Sequence, residues 1–109
     1  MPGREERVAR NESLFREVNE RIREVSEGLP RVEETEFLCE CGDRACTEPI
    51  RLTLPEYEQI RSESRLFAVV PGHVEPTVET VVRETDRFAV VRKTEPEAAE
   101  IVDATDPRS

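Results

Sequence analysis

The sequence predicts an α+β fold with a long N-terminal helix, short helices, and a small antiparallel sheet that includes a C-terminal hairpin. Apolar residues recur at spacings of three, four and seven across residues 7–27, which is the period of a helix with one apolar side. Later, short runs rich in β-branched residues are separated by turn residues, as is typical of strands. All three cysteines lie within eight residues, which indicates a compact local site.

The length and composition favour one domain with a thin core. The 109 residues fall within the usual domain size, so we expect a single domain over 1–109, with 1–6 and 106–109 frayed. The formal net charge is −9, and an acidic chain would repel a phosphate backbone, so we expect no nucleic-acid binding. There is no long apolar segment and the cysteine count is odd, which predicts a cytoplasmic protein with no membrane contact.

The N-terminal helix is predicted over residues 7–27 and ends at Gly28, a residue suited to a left-handed C-terminal cap. Its apolar stripe consists of Val8, Phe15, Val18, Ile22 and Val25. The favoured interpretation is that this stripe packs on the protein's own sheet. The alternative is that Phe15, Val18, Ile22 and Val25 bind an unknown protein partner or a second copy of the chain, because the spacing also suits helix pairing.

Two strands and a helix are predicted in the middle of the chain. Residues 35–39 and 50–53 alternate as strands do. Thr53 and Glu56 then have the spacing of a capping box, so a helix should begin there with Tyr57 and Ile60 facing inward. Residues 66–70 form an apolar run that we expect to be a central strand ending at a Pro-Gly turn.

The C-terminal third predicts a hairpin followed by a short helix. Residues 78–83 and 88–93 are β-rich runs separated by four residues. A helix over 76–83 is the competing interpretation, but the density of valine favours a strand. Thr94 and Glu97 repeat the capping-box spacing and should begin the last helix.

The cysteine cluster and the single histidine together predict a zinc knuckle. Cys39, Cys41, Cys46 and His73 supply three thiolates and one imidazole, which complete a tetrahedral zinc site. Gly42 is expected to let the chain curl after the second cysteine. Asp43 and the neighbouring backbone amides are expected to support the sulfur atoms. Iron in place of zinc, and a carboxylate in place of His73, remain open alternatives.

The Cys-x-Cys-x4-Cys spacing resembles the zinc knuckle at the end of histone methyltransferase domains. The resemblance covers eight residues, and the chain has no room for that catalytic domain, so it implies the metal geometry and no activity. A site with four protein ligands leaves no position for water or substrate, which favours a structural role in a non-catalytic interaction or regulatory module. The alternatives are a redox- or zinc-responsive thiolate switch and, less favoured, a metal-dependent hydrolase.

A longer similarity extends over most of residues 10–107. The segments that carry it include residues 37–57, with the three cysteines, and residues 67–73, which end in Pro71-Gly72-His73. In these segments the chain resembles a group of small uncharacterised actinobacterial proteins. The resemblance implies a bacterial cytosolic setting and one compact unit, and it implies no reaction.

Overall fold

A computed structural model describes residues 3–43, 45–46 and 48–108. Its elements in chain order are α1 (Arg4–Val25), β1 (Glu34–Leu38), β2 (Pro49–Thr53), α2 (Leu54–Ile60), β3 (Leu66–Val69), β4 (Glu79–Glu84), β5 (Ala89–Lys93) and α3 (Pro96–Ala104). The predicted α+β fold with a long N-terminal helix is confirmed. None of the helices in these ranges is long and apolar enough to cross a bilayer.

The strands form two antiparallel sheets rather than one. β1 pairs with β2, and the second sheet has the order β3-β5-β4. The predicted hairpin of β4 and β5 is confirmed, with a bulge between Val81 and Arg83. The strand predicted over residues 66–70 is present as the fully buried β3, but it lies at an edge of its sheet because β5 occupies the centre. The free edge of β3 meets Glu40 instead, whose N–H donates to Ala68 O at 2.8 Å and whose Oε1 accepts from Ala68 N at 2.9 Å.

The predicted helix ends are largely confirmed. Thr53 and Glu56 form the capping box of α2, and Tyr57 and Ile60 are buried. Gly28 follows α1 with a φ of +102°, in the region that favours glycine. The last helix is capped differently from the prediction, because the side chain of Glu95 accepts from its first-turn N–H groups.

The N-terminal helix turns one of its own polar faces toward the rest of the protein, and part of its apolar stripe is left exposed. Its fully buried side chains include Glu12, Arg16 and Asn19, whereas Val18 and Val25 are exposed. The expectation that the whole stripe packs on the protein's own sheet is therefore wrong. Among the five residues of the stripe, Val8 belongs to one group of buried apolar side chains and Ile22 packs against a second group. Phe15 is half-buried.

The buried polar face of α1 finds specific partners, which explains its orientation. Asn19 accepts from Leu38 N–H at 2.8 Å and donates to Leu38 O at 2.9 Å, so it pairs with β1 as a neighbouring strand would. The guanidinium of Arg16 lies 4.3 Å from the centre of the Phe67 ring. Hydrogen bonds such as those of Asn19 offset the free-energy cost of burying polar groups.

Parts of both terminal segments that were expected to be frayed have defined contacts, while residues 1, 2 and 109 lie outside the described residues. The first helix begins at Arg4, three residues before the predicted start. Near the other end, Asp106 pairs with Arg61, and Arg108 pairs with Glu20 and Glu58. These ion pairs attach the C-terminal segment to α1 and α2.

Candidate metal centre

Two separate segments bring the four predicted ligands together. Cys39 and Cys41 follow the end of β1, and Cys46 lies further along the same loop. His73 lies after β3 in a tight turn, in which its N–H donates to Val70 O at 2.9 Å. Gly72 has a φ of +93° there, as the third position of such a turn requires. The Pro-Gly turn therefore presents the histidine as the sequence indicated.

Two of the distances between the donor atoms match those expected around a tetrahedral ion. Cys39 Sγ and Cys46 Sγ lie 3.6 Å and 3.7 Å from His73 Nδ1. An ion with Zn–S bonds of about 2.3 Å and Zn–N bonds of about 2.1 Å holds sulfur and nitrogen about 3.6 Å apart at a tetrahedral angle. The ligand atoms of all four residues, Cys41 included, lie within 4.8 Å of one another. The cluster is therefore compatible with a metal ion at its centre.

The orientation of the His73 ring adds to this fit. Nδ1 faces the sulfur atoms, and Nε2 lies 3.0 Å from Glu48 Oε2. A metal-binding histidine usually donates its other N–H to a carboxylate, which fixes the tautomer and makes the ligating nitrogen more basic. Glu48 is thus placed where it can orient His73 for metal binding.

Backbone amides approach each of the three sulfur atoms. Val70 N–H donates to Cys39 Sγ at 3.2 Å, and the N–H groups of Asp43 and Glu48 bond to Cys41 and Cys46. N–H donors stabilise thiolate charge, so the loop is arranged to hold ionised sulfur.

The hydrogen bonds and the burial of the cluster shift the pKa values of the three thiols in different directions. The hydrogen bond that Cys39 donates to Cys41 lowers the pKa of Cys41 to about 5, against the opposing effect of burial. The same bond raises the pKa of Cys39, and burial raises it further. Burial also raises the pKa of Cys46. A metal ion would displace the remaining protons, as thiolate coordination requires.

The loop between the cysteines is anchored to α1. Asn11 Nδ2 donates to Gly42 O at 3.0 Å. A Cβ atom added at Gly42 would overlap Val8 Cγ1 and lie 3.3 Å from Val8 Cα. The chain bends at Gly42, as the predicted curl requires, and because its φ is not positive it is the close approach to Val8 that favours glycine there. Asp43 shapes the turn through Oδ1, which accepts from Ala45 N at 2.9 Å.

The site is enclosed on one side and open on the other. Cys39 and Cys41 are 1% and 3% exposed and belong to a core cluster with Val8 and Phe67. Cys46 is half-buried, and a third of the His73 side chain is exposed. Solvent and small molecules would therefore reach the cluster from the side of Cys46 and His73.

Glu48 is the residue that the sequence did not single out. It lies two positions after the last cysteine, but the chain has 25 acidic residues, so this proximity alone carries little information. Comparison of the chain with protein-family models, curated proteins and solved structures finds no match. The interpretation of the site therefore depends on its own geometry.

Proposed function

We propose that the chain is a small zinc-binding protein in which a Cys3His site has a structural role within a non-catalytic interaction or regulatory module. The observation that carries this proposal is the placement of His73 Nδ1 at 3.6 Å and 3.7 Å from two cysteine sulfur atoms, close to the spacing of tetrahedral zinc ligands. Zinc is the preferred ion because three thiolates and an imidazole in this geometry suit it among the common divalent metals.

A structural role follows from how many ligands the protein itself supplies. Catalytic zinc sites usually keep one position for water or substrate, whereas four protein ligands fill a tetrahedron. The proposed ion would also join the segment after β1 to the turn after β3, and the ligands Cys39 and His73 are 34 positions apart. Such a link restricts the unfolded chain and stabilises a thin core.

The proposal is tested by the metal content of the untagged protein. We expect one zinc per chain in the wild type and loss of zinc, together with a lower melting temperature, in Cys46→Ser and His73→Ala. A wild type that contains no metal, or a His73→Ala variant that retains zinc with unchanged affinity, would overturn the assignment. Iron in place of zinc would keep the site and correct the choice of ion.

A milder variant tests the orientation of the histidine. Glu48→Gln should weaken zinc binding by about 10- to 100-fold without removing a ligand, as substitution of such orienting carboxylates does. Glu36→Gln is the matched control, because Glu36 is also exposed but pairs with Arg51 on the β1–β2 sheet. Equal zinc affinity in both variants, measured by chelator competition, would show that Glu48 does not act on the ion.

A redox-responsive switch is the second candidate, and the position of Cys46 favours it. Cys46 is the one ligand cysteine that is not buried. A hydroperoxide could oxidise its sulfur, after which a neighbouring cysteine would displace the oxygen as water or hydroxide and form a disulfide, releasing zinc. Reversible zinc release by mild peroxide would support the switch, and an unreactive site would leave the structural role alone.

A further inference from the structure

The outward face of α1 carries three apolar side chains that the monomer leaves in water. They form a stripe that differs from the one predicted from the sequence. Leu14, Val18 and Val25 are 53%, 38% and 84% exposed. The three side chains lie on one side of the helix, because their positions differ by four and seven. The opposite side of α1 is the polar face that packs on the protein, so no rotation of the helix could bury the stripe without breaking that face.

Two charged residues on the same face have no partner within the described chain. Glu17 and Arg21 are exposed and stand four positions apart, in the order that favours an ion pair. No ion pair or hydrogen bond joins either side chain to another described residue, whereas Arg10 and Glu6 do pair at the same spacing. The middle of the stripe therefore presents one free carboxylate and one free guanidinium.

We propose that α1 pairs with α1 of a second copy of this chain in an antiparallel, two-fold symmetric dimer. Leu14 and Val25 are centred between positions 19 and 20, and Glu17 and Arg21 are centred on position 19. A two-fold axis that crosses the helix pair close to position 19 sets Leu14 of each copy against Val25 of the other. The same axis sets Glu17 of each copy near Arg21 of the other. Apolar and charged contacts are thus satisfied by the same symmetry operation.

The antiparallel direction follows from the charges. In a parallel pair each residue would face its own counterpart, so Glu17 would meet Glu17 and Arg21 would meet Arg21, which is unfavourable. In the antiparallel pair Val18 instead packs against the aliphatic stem of the partner's Arg21, whose head remains in water. A contact along a single helix is small, so the dimer should dissociate reversibly on dilution.

The proposal does not depend on the zinc site, and molecular mass tests it directly. In sedimentation at about 0.15 M salt, where the net charge is screened beyond about 8 Å, the mass should rise from 12.5 kDa toward twice that value with concentration. Val18→Arg should abolish this rise, because it places a second guanidinium beside the partner's Arg21. Val82→Arg is the matched control, since Val82 is 48% exposed on β4 and does not belong to α1, and this variant should dimerise as the wild type does.

Charge exchange tests the symmetry. Glu17→Arg and Arg21→Glu should each weaken self-association by about tenfold, since each places like charges on both sides of the axis. The double variant should recover the wild-type dimer, and a mixture of the two single variants should associate more tightly than either does alone. A chain that stays monomeric up to about 1 mM, or a dimer unaffected by Val18→Arg, would overturn the proposal. Zinc content and circular dichroism should be unchanged in all of these surface variants.

Discussion

Gly42 shows how one side chain can decide whether the metal-binding loop fits against α1. The residue is covered by Val8, and its carbonyl accepts from Asn11, so loop and helix are in contact on both sides of its Cα. Side chains larger than hydrogen have no space there. The loop that carries Cys41 can approach the core only because this position is a glycine.

Gly42→Ala should therefore destabilise the protein by about 1–3 kcal/mol, the usual cost of overpacking. Because the added methyl group would overlap Val8, the double variant with Val8→Ala should be less destabilised than the sum of the two single variants. Denaturant unfolding of the four proteins measures this coupling. Strictly additive free energies would show that the two residues do not collide.

At this scale the sequence predicted the ligands but not their supporting contacts. Cys39, Cys41, Cys46 and His73 could be selected because they are the only residues of their types in the chain. Glu48 could not, since its role depends on which of 25 acidic residues lies beside the His73 ring in space. The Val70 N–H that reaches Cys39 belongs to the backbone and has no sequence signature.

The α1 helix is held by a buried cluster of charges at its middle. Lys93 of β5 lies between the carboxylates of Glu12 and Glu79, and all three side chains are fully buried. Burial, and then the hydrogen bond with Glu79, raise the pKa of Glu12 well above its usual value, although Lys93 opposes the shift. Folding therefore favours the protonated form of Glu12 relative to the unfolded chain, and in that form the cluster as a whole is closer to neutral.

A raised carboxyl pKa gives a defined dependence of stability on pH. Its stabilising contribution is present below the unfolded-state pKa of about 4.3 and is lost as the pH rises toward the folded-state pKa. Glu12→Gln keeps the neutral form throughout. The unfolding free energy of Glu12→Gln minus that of the wild type should therefore increase between about pH 5 and about pH 8.

Urea unfolding at these two pH values checks this difference. Glu24→Gln is the matched control, because it makes the same substitution at an exposed position of the same helix. If the difference for Glu12→Gln is constant, or falls as the pH rises, Glu12 is ionised in the folded protein. Lys93 would then neutralise both carboxylates more effectively than their burial disfavours them.

This cluster also explains why the sequence predicted α1 but not its orientation. The helix and the left-handed glycine that follows it are local features, and the structure has both, although α1 ends at Val25 rather than at residue 27. The choice of buried face depends on Lys93, which is 81 positions from Glu12. Apolar periodicity cannot contain that information. The order of strands in the second sheet was unpredictable for the same reason, because β5 separates β3 from β4 through contacts distant in sequence.

The whole molecule has two groups of buried apolar side chains, and the metal centre belongs to only one of them. The first group includes Cys39, Cys41, Val8, Phe67 and Val102. The second surrounds Tyr57, whose ring stacks on Phe37 with centroids 4.5 Å apart, and includes side chains from β2 and α2. The proposed zinc ion would therefore stabilise the first group directly and the second only through the strands they share.

Removal of zinc should consequently open one part of the molecule before the other. With a chelator present, we expect amide hydrogens in 39–46 and 70–78 to exchange faster, because their loops would lose the ion that joins them. Amides in the β1–β2 pair, such as those near Phe37 and Ile50, should remain protected as long as the second group stays packed.

Hydrogen exchange measured by mass spectrometry distinguishes this local opening from general unfolding. His73→Ala provides the matched comparison, since it should produce the same pattern without a chelator if the histidine is a ligand. Equal acceleration in both groups would mean that zinc holds the entire fold, as in a zinc finger that is unfolded without metal. Unchanged exchange in 39–46 would instead mean that the loop is fixed by its contacts with Val8 and Asn11 alone. In that case the cysteine cluster would add no stability to the fold, and the structural role proposed for the ion would be wrong.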